Sequence, residues 1–308
     1  MPPRRRKPFP FHILVFLTPA VLIYTIFMVY PLIDSLRLGL FSLNDTGREV
    51  FVGLDNYRTL LTSDLWAPRL WNAIRNNFVL FAIHMSVQNP IGLLLAALLS
   101  SQIIRGRALF RTLIFTPTIL SVVLIGFSWR LILSPLWGIA KDILGIFGLE
   151  SLYRPWLGLE SSALVAISLI SVWQYVGVPM LLFLAALLGI PDELIEAARI
   201  DGATGWGVFW RIKFPLILPT VGIVATLTFV GNFNAFDLIY TTQGALAGPN
   251  FSTDILGTFF FRTFFGIQLQ LGNPTMGATI AGVMFLIILA GVLLYLFGWQ
   301  RRLQRIEL

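Results

Sequence analysis

The chain has no cysteine and only two histidines, His12 and His84. Disulfides and thiolate metal sites are thereby excluded. Two imidazoles on separate apolar runs do not make a metal centre, so no metal ligand is expected. Charge is scarce too, at 12% of 308 residues, against about 25% in soluble domains. No Gly-x-x-x-x-Gly-Lys-Ser/Thr loop occurs, which excludes ATP hydrolysis by that device. No intramembrane series of carboxylates and histidines suggests a proton relay. Two scattered histidines offer no nucleophile, base and orienting acid, so an enzyme is not expected.

What remains is apolar surface. The sequence is 56% hydrophobic with a mean hydropathy of +0.81, the composition of an integral membrane protein. Taking about 20 apolar residues per crossing, the spans fall at Phe11 to Ile33, Phe78 to Leu99, Leu109 to Leu131, Ala163 to Leu188, Thr220 to Ile239 and Met276 to Trp299. The fold class expected is all-α with about six transmembrane helices, because an open sheet would leave backbone groups unpaired in lipid and a barrel would show short alternating strands. The whole of 11–308 reads as one transmembrane domain behind a basic segment, 1–10. The first apolar run is too long for a signal h-region and lacks a small-residue cleavage site, so it is expected to be retained.

The net charge of +7 reflects topology rather than nucleic-acid binding, since the basic residues are dispersed through loops without a basic stripe. Arg4 to Lys7 point inward by the positive-inside rule. Arg105, Arg107 and Arg111, then Arg199, Arg211 and Lys213, then Arg301, Arg302 and Arg305 fall on the same side, so both termini are expected in the cytoplasm. The outer loop 34–77 is rich in turn residues around Asn44 to Gly47 and Gly53 to Tyr57. Short outer helices are expected after Gly53 and near Ala140 to Phe147. In the last outer loop, Phe259 to Phe261 with Phe264 and Phe265 form either a partly inserted helix or an interfacial belt.

Polar side chains inside spans are costly and mark a bundle interior or a pathway. The candidates are Gln88 and Asn89 in the second span, Trp173, Gln174 and Tyr175 in the fourth, and Asn232, Asn234 and Asp237 in the fifth. Amides beside aromatic faces suit a polyhydroxylated solute; interhelical hydrogen bonding is the competing role. On a continuous helix Asn234 and Asp237 share a face, whereas Asn232 does not join them. Arg130, near the outer end of the third span, is a possible partner for Asp237.

One inner loop, 189–218, has its own chemistry. Pro191 suits a first helical position, and Asp192 and Glu193 oppose the positive end of the helix dipole. Gly202 stops that helix, since glycine takes the left-handed conformation readily. Thr204 is positioned to cap a second helix, whose Trp206, Phe209, Trp210 and Lys213 lie on one face. Leu194, Ala197 and Ala198 share a face of the first helix, and Glu196 and Arg199 are spaced for an ion pair.

This loop resembles the cytoplasmic coupling loop, or EAA loop, of permease subunits in binding-protein-dependent ABC importers. Glu196-Ala197-Ala198, Asp201-Gly202-Ala203, Phe209, Ile212, Pro215 and Pro219 stand at that family's spacing. The likeness extends along most of the chain and is closest to the carbohydrate-uptake branch, of maltose and glycerol-phosphate type. Pro19, Tyr30-Pro31, Phe51 to Tyr57, Arg105 to Arg107, Phe110 to Thr112, Asp237 to Tyr240 and Gly248-Pro249 carry it, while Leu271 to Thr275 departs from it.

The resemblance implies the type I ABC importer permease fold in a bacterial-type cytoplasmic (inner) membrane. It also implies a heterodimer with a second permease subunit, two cytoplasmic ATP-binding subunits that use ATP and Mg, and an extracytoplasmic solute-binding protein. This chain would itself bind no cofactor. Glu196, Ala197, Ala198, Asp201, Gly202, Ala203, Trp206 and Phe209 would then be the ATPase-coupling residues, and the solute a sugar or oligosaccharide. A phosphorylated polyol or an osmolyte is the alternative solute, and a stand-alone channel or carrier the alternative transporter.

Overall fold

A computed structural model describes residues 11–44, 46–101, 104–267 and 271–300. The basic segment 1–10, Asp45 and the basic residues Arg301, Arg302 and Arg305 lie outside the described residues. Helix α1 (Ile13–Leu38) leads to a small antiparallel hairpin, β1 (Phe41–Leu43) and β2 (Glu49–Phe51). The turn-rich stretch around Asn44 is thus a β-hairpin, a small exception to an all-helical fold. Helix α2 (Asp55–Thr62) follows, where an outer helix is expected after Gly53. The Asn56 amide donates to the carbonyls of Gly39 (3.0 Å) and Phe41 (2.8 Å), which fastens α2 to the end of α1. Burial pushes the Tyr57 phenol up from its ordinary pKa, keeping it un-ionised.

Helix α3 (Ala67–Ser100) begins well before the expected Phe78. Its first turns are amphipathic: Leu70, Ala73, Asn76 and Asn77 are buried while Arg75 is exposed, a pattern that lowers local hydropathy without breaking the helix. The third expected span is instead two helices, α4 (Arg107–Ile119) and α5 (Val122–Ile132), bent by 93°. Pro117 lacks the N–H for the preceding turn, and Leu120 and Ser121 are extended, with ψ 146° and 130°. Helix α6 (Ala140–Ile146) matches the second short outer helix.

The fourth span is likewise divided, at Val176, into α7 (Ala163–Tyr175) and α8 (Gly177–Leu188). Two helices then leave the bundle: α9 (Asp192–Ile200), bent 71° from α8, and α10 (Gly205–Leu216), bent 66° from the next span. That span, α11 (Leu218–Phe233), stops short of the expected Ile239 because residues 234–236 leave the helix; the chain restarts as α12 (Asp237–Gln243). Helix α13 (Leu256–Phe265) and helix α14 (Pro274–Gln300) complete the fold. Among the described residues, three continuous helices, α1, α3 and α14, are long and apolar enough to cross a bilayer, with up to seven spans if each bent pair counts as one.

Three apolar clusters hold these elements together among the described residues, one of them joining α7 and α12 through Ile167 and Ile239. Another joins α2, α3, α11, α13 and α14 through Leu60, Leu70, Phe233, Phe259 and Ile280. The third joins α3, α8 and α11 through Ala96, Leu99, Met180, Phe183, Leu187 and Val224. Within a bilayer these side chains hold the helices together by van der Waals packing rather than by removal from water. Phe259 is fully buried and Phe260, Phe261 and Phe264 half-buried, while Phe265 is 63% exposed, so the aromatic run is a helix with one face in the bundle. Helix α12 packs on α5, where a Cβ at Gly126 would lie 2.8 Å from Thr241 Cβ; only glycine admits that approach. The apolar window of α1 has none of its residues buried.

Asp254, fully buried before α13, pairs with Arg262, itself 3% exposed. Arg262 Nη1 donates to Asp254 Oδ1 at 2.6 Å, Nη2 donates to Oδ2, and Thr258 Oγ1 donates to Oδ1 at 2.7 Å. The guanidinium also lies over the rings of Phe251 (4.8 Å) and Phe259 (5.1 Å). Asn76 and Asn77 extend the network: Asn76 Nδ2 donates to the Asp254 carbonyl (2.8 Å), and Asn77 Oδ1 accepts from the Leu256 N–H (2.9 Å). Asn77 Nδ2 donates to the Asn232 carbonyl (2.8 Å).

Candidate functional site

Three helix irregularities border one cavity. Helix α3 carries a π-turn at His84–Gln88, α7 and α8 part at Val176, and α11 gives way to α12 across 234–236. Non-helical backbone at membrane depth is tolerated only where it is buried in protein or lines a cavity, and π-turns recur at functional sites. The cavity between them holds about 350 Å³, within the range of about 300–1,000 Å³ of small-molecule sites. His84, Gln88, Ser171, Tyr175, Thr228, Asn232, Asn234 and Asp237 supply its polar lining; Val122, Val178, Leu182, Val224 and Leu227 supply apolar walls.

Of the pathway candidates, Gln88, Tyr175, Asn232, Asn234 and Asp237 border this cavity. A continuous fifth span would have kept Asn232 apart from Asn234 and Asp237. The helix ends at Phe233, and Phe236 adopts φ −153° and ψ −56°, so the face rule does not apply across the turn. Asn89 lies behind the lining, where its amide donates to Thr228 Oγ1 at 3.1 Å, an interhelical bond. Trp173 is exposed and packs edge-on against Trp129, with ring centroids 5.6 Å apart. Gln174 is fully buried, and its side-chain amide has no hydrogen-bond partner among the described residues.

Sequence reasoning missed His84 and Ser171. His84 Nδ1 donates to the Leu80 carbonyl (2.7 Å), and Nε2 lies 3.0 Å from Ser171 Oγ. The signal available was a histidine one helical turn before Gln88 within an apolar run. Gln88 Oε1 is buried without a partner among the described residues. Asn232 Nδ2 is engaged by the Thr228 carbonyl at 2.7 Å.

The second candidate region is α9 and α10. Gly202 takes φ +85°, with its N–H bonded to the Arg199 carbonyl (3.0 Å) and the Ala203 N–H to the Ala198 carbonyl (2.9 Å). That is the paired hydrogen bonding of a Schellman helix end. Thr204 caps α10 by accepting from the Gly207 N–H at 3.3 Å. Pro191 sits one place earlier than expected, in extended backbone ahead of α9. Thr204→Ala should remove about 1 kcal/mol from the start of α10. Hydrogen exchange across Gly205 to Val208 should quicken roughly fivefold for that loss, and unchanged exchange would discount the cap.

Trp206, Phe209 and Trp210 form an aromatic stack, Trp206 and Phe209 each lying edge-on to Trp210 with centroids 5.6 and 5.2 Å away. With Ile195, Arg199 and Lys213 they line a groove of about 520 Å³ against the end of α3, from Pro90 to Ser100. The inward side of α9 therefore includes Ile195, while Leu194, Glu196 and Ala197 are exposed and Ala198 half-buried. No Glu196–Arg199 ion pair forms among the described residues, and none joins Arg130 to Asp237. Trp206 remains 74% exposed and Ile200 86%, an apolar surface outside the bundle. Asp201 is exposed beside the bend, and Ala203 half-buried within it.

The model of the family described as "Binding-protein-dependent transport system inner membrane component" matches residues 88–305. The lactose transport system permease protein LacF of Rhizobium radiobacter is 30% identical over 252 residues, 82% of each chain. The arabinooligosaccharides transport system permease protein AraP of Halalkalibacterium halodurans is 30% identical over 278 residues, 89% of this chain and 83% of AraP. A chain in the crystal structure of a bacterial alginate ABC transporter, in complex with an alginate pentasaccharide-bound periplasmic protein, shares the fold. It superposes with a TM-score of 0.78 over 95% of both chains at 22% identity.

Proposed function

The chain belongs to the family of binding-protein-dependent transport system inner membrane components, and from that premise we propose that its central cavity passes a sugar or oligosaccharide across the bilayer. It is a non-catalytic permease subunit of an ABC transporter. In our reading it pairs with a second permease subunit, receives solute from an extracytoplasmic binding protein, and is driven by two ATP-binding subunits using ATP and Mg. Helices α9 and α10 face the cytoplasm of a bacterial cell, as do both termini, and the membrane is the inner one.

The observation that carries this reading is the convergence of a π-turn in α3, the junction of α7 and α8 and the turn after α11 on a cavity lined by amides, hydroxyls and two aromatic rings. Amide and hydroxyl groups match sugar hydroxyls in hydrogen bonding. Tyr175 and Phe236 add aromatic surface for the apolar faces of a sugar ring. The relatives named for lactose and arabinooligosaccharides support a carbohydrate. On the cytoplasmic side, the exposed Trp206 and the half-buried Phe209 dock in a cleft of the ATPase, while Glu196 meets a cation there. ATP-driven closure moves this loop, and α8 and α11, attached at its two ends, carry the motion to the cavity.

Copurification should recover an ATPase, a second permease and a binding protein, and a ligand screen on that binding protein should find stabilisation by a neutral oligosaccharide. Stabilisation by an osmolyte instead would move the assignment to the alternative solute, and copurification of no ATPase would point to a stand-alone carrier. Combined alanine substitution of Gln88, Asn234 and Asp237 should lower uptake at least roughly tenfold, from the loss of several hydrogen bonds, while the ATPase still copurifies. Undiminished uptake would return these residues to a structural role.

A further inference from the structure

The cavity carries charge of one sign. Among the described residues lining it, Asp237 is the only formally charged side chain, and neither lysine nor arginine borders it. Asp237 forms no ion pair among the described residues. Arg130 borders a separate cleft with Ser134, Thr242 and Gln243. His84 is only 4% exposed, and both its ring nitrogens are engaged within the protein. Gln88 Oε1, buried and unpartnered, adds a further acceptor oxygen. Asp237 is exposed at the edge of the cavity, where an entering solute would meet its carboxylate at short range.

We propose that Asp237 is a charge filter: the cavity admits neutral and cationic polar solutes and rejects anionic ones, such as uronate-bearing sugars and sugar phosphates. The inference rests on the reading of the cavity as the solute site, and it names the solute class by charge. Like charges opposed at a few ångströms near a protein surface change affinity by roughly two orders of magnitude. Asp237 also stands in the first turn of α12, where a carboxylate offsets the helix dipole. A merely structural acid there would affect all solutes alike, whereas a filter changes the ratio between them.

The test is ligand-observed NMR on the chain in nanodiscs, purified with the subunits that accompany it and without the binding protein, whose own selectivity would intrude. The probes are matched pairs: maltotriose and the same trisaccharide ending in glucuronate, and glycerol and glycerol phosphate. The wild type should bind a neutral member of a pair roughly 100-fold more tightly than its anionic counterpart. Asp237→Asn should reduce that ratio to below about tenfold, and Asp237→Glu should preserve it.

Equal binding of neutral and anionic members by the wild type would overturn the proposal, as would an unchanged ratio in Asp237→Asn. Binding of none of the probes would remove the cavity as a solute site and the filter with it. If glycerol binds and glycerol phosphate does not, while neither trisaccharide binds, the filter stands and the sugar assignment fails.

Discussion

Gly202→Asp should leave the permease in the membrane and abolish solute-stimulated ATP hydrolysis. Nothing lies within 4 Å of a Cβ placed at Gly202, so the substitution meets no clash; its effect is on the backbone. A φ of +85° costs a side-chain-bearing residue about 1–2 kcal/mol, and a new carboxylate beside Asp201 lies at the negative end of the α9 dipole. The chain relieves both by opening the α9–α10 bend, which separates the exposed Trp206 from the α9 surface it accompanies. A graded series sharpens the test. Gly202→Asn should retain most coupling, because asparagine tolerates the left-handed region, and Gly202→Ala should fall between. Normal stimulation of ATP hydrolysis in Gly202→Asp, measured in proteoliposomes with the loaded binding protein, would sink the docking role of this loop.

Arg262→Ala should be among the most destabilising single changes in the chain. Removing one partner of a buried ion pair costs about 3–5 kcal/mol, because the other charge is left without compensation. Here Asp254 would retain only Thr258, and the rings of Phe251 and Phe259 would lose the guanidinium between them. Thermal denaturation in detergent should show a large loss for Arg262→Ala and for Asp254→Ala. The double change Asp254→Leu with Arg262→Met should recover much of it, since two apolar groups leave no buried charge. A double variant as unstable as either single one would mean that the pair gives net stability beyond mutual neutralisation.

The apolar runs and the inner loop were legible because they depend on local chemistry, whereas the number of crossings was not: about six were expected, and the described residues hold three continuous spans, or up to seven with bent pairs. Long apolar runs located the crossings, Gly202 announced a left-handed helix end, and Thr204 a cap. Features that depend on tertiary packing were not legible. Pro117 was visible inside an apolar run, yet the 93° corner also needs Leu120 and Ser121 to be extended. Pro179 lacks the N–H that would reach the Tyr175 carbonyl and so loosens the turn at Val176, yet a proline is also tolerated inside a membrane helix and does not by itself fix where a span divides. The early start of α3 was hidden because Arg75 masks a buried face that includes Asn76 and Asn77. The Asp254–Arg262 pair spans eight residues, too far for the pair spacing of one helix surface, and Asp254 lies before α13 begins.

Candidate pathway residues divided on the same principle. Gln88, Asn234 and Asp237 border the cavity together because a turn after Phe233 redirects the chain, and face arithmetic for a continuous helix cannot anticipate a helix end. Asn89, adjacent to Gln88, instead bonds to Thr228 and helps hold α3 to α11. Adjacent residues on a helix point about 100° apart, so one faces the cavity and the other the neighbouring helix. His84 was passed over because an isolated histidine in an apolar run has no local pattern that assigns it a partner.

The corner at Leu120–Ser121 and the close seating of Thr241 on Gly126 have a joint mechanical consequence. Helix α5 is joined to α4 by two extended residues, while its flank is packed tightly against α12 through Gly126 and Thr241. Helices α5 and α12 thus form one packed unit, and Asp237 stands one turn before the Thr241 contact. Any displacement of that unit would carry the carboxylate with it, so the charge met by a solute would shift in position without a rotamer change.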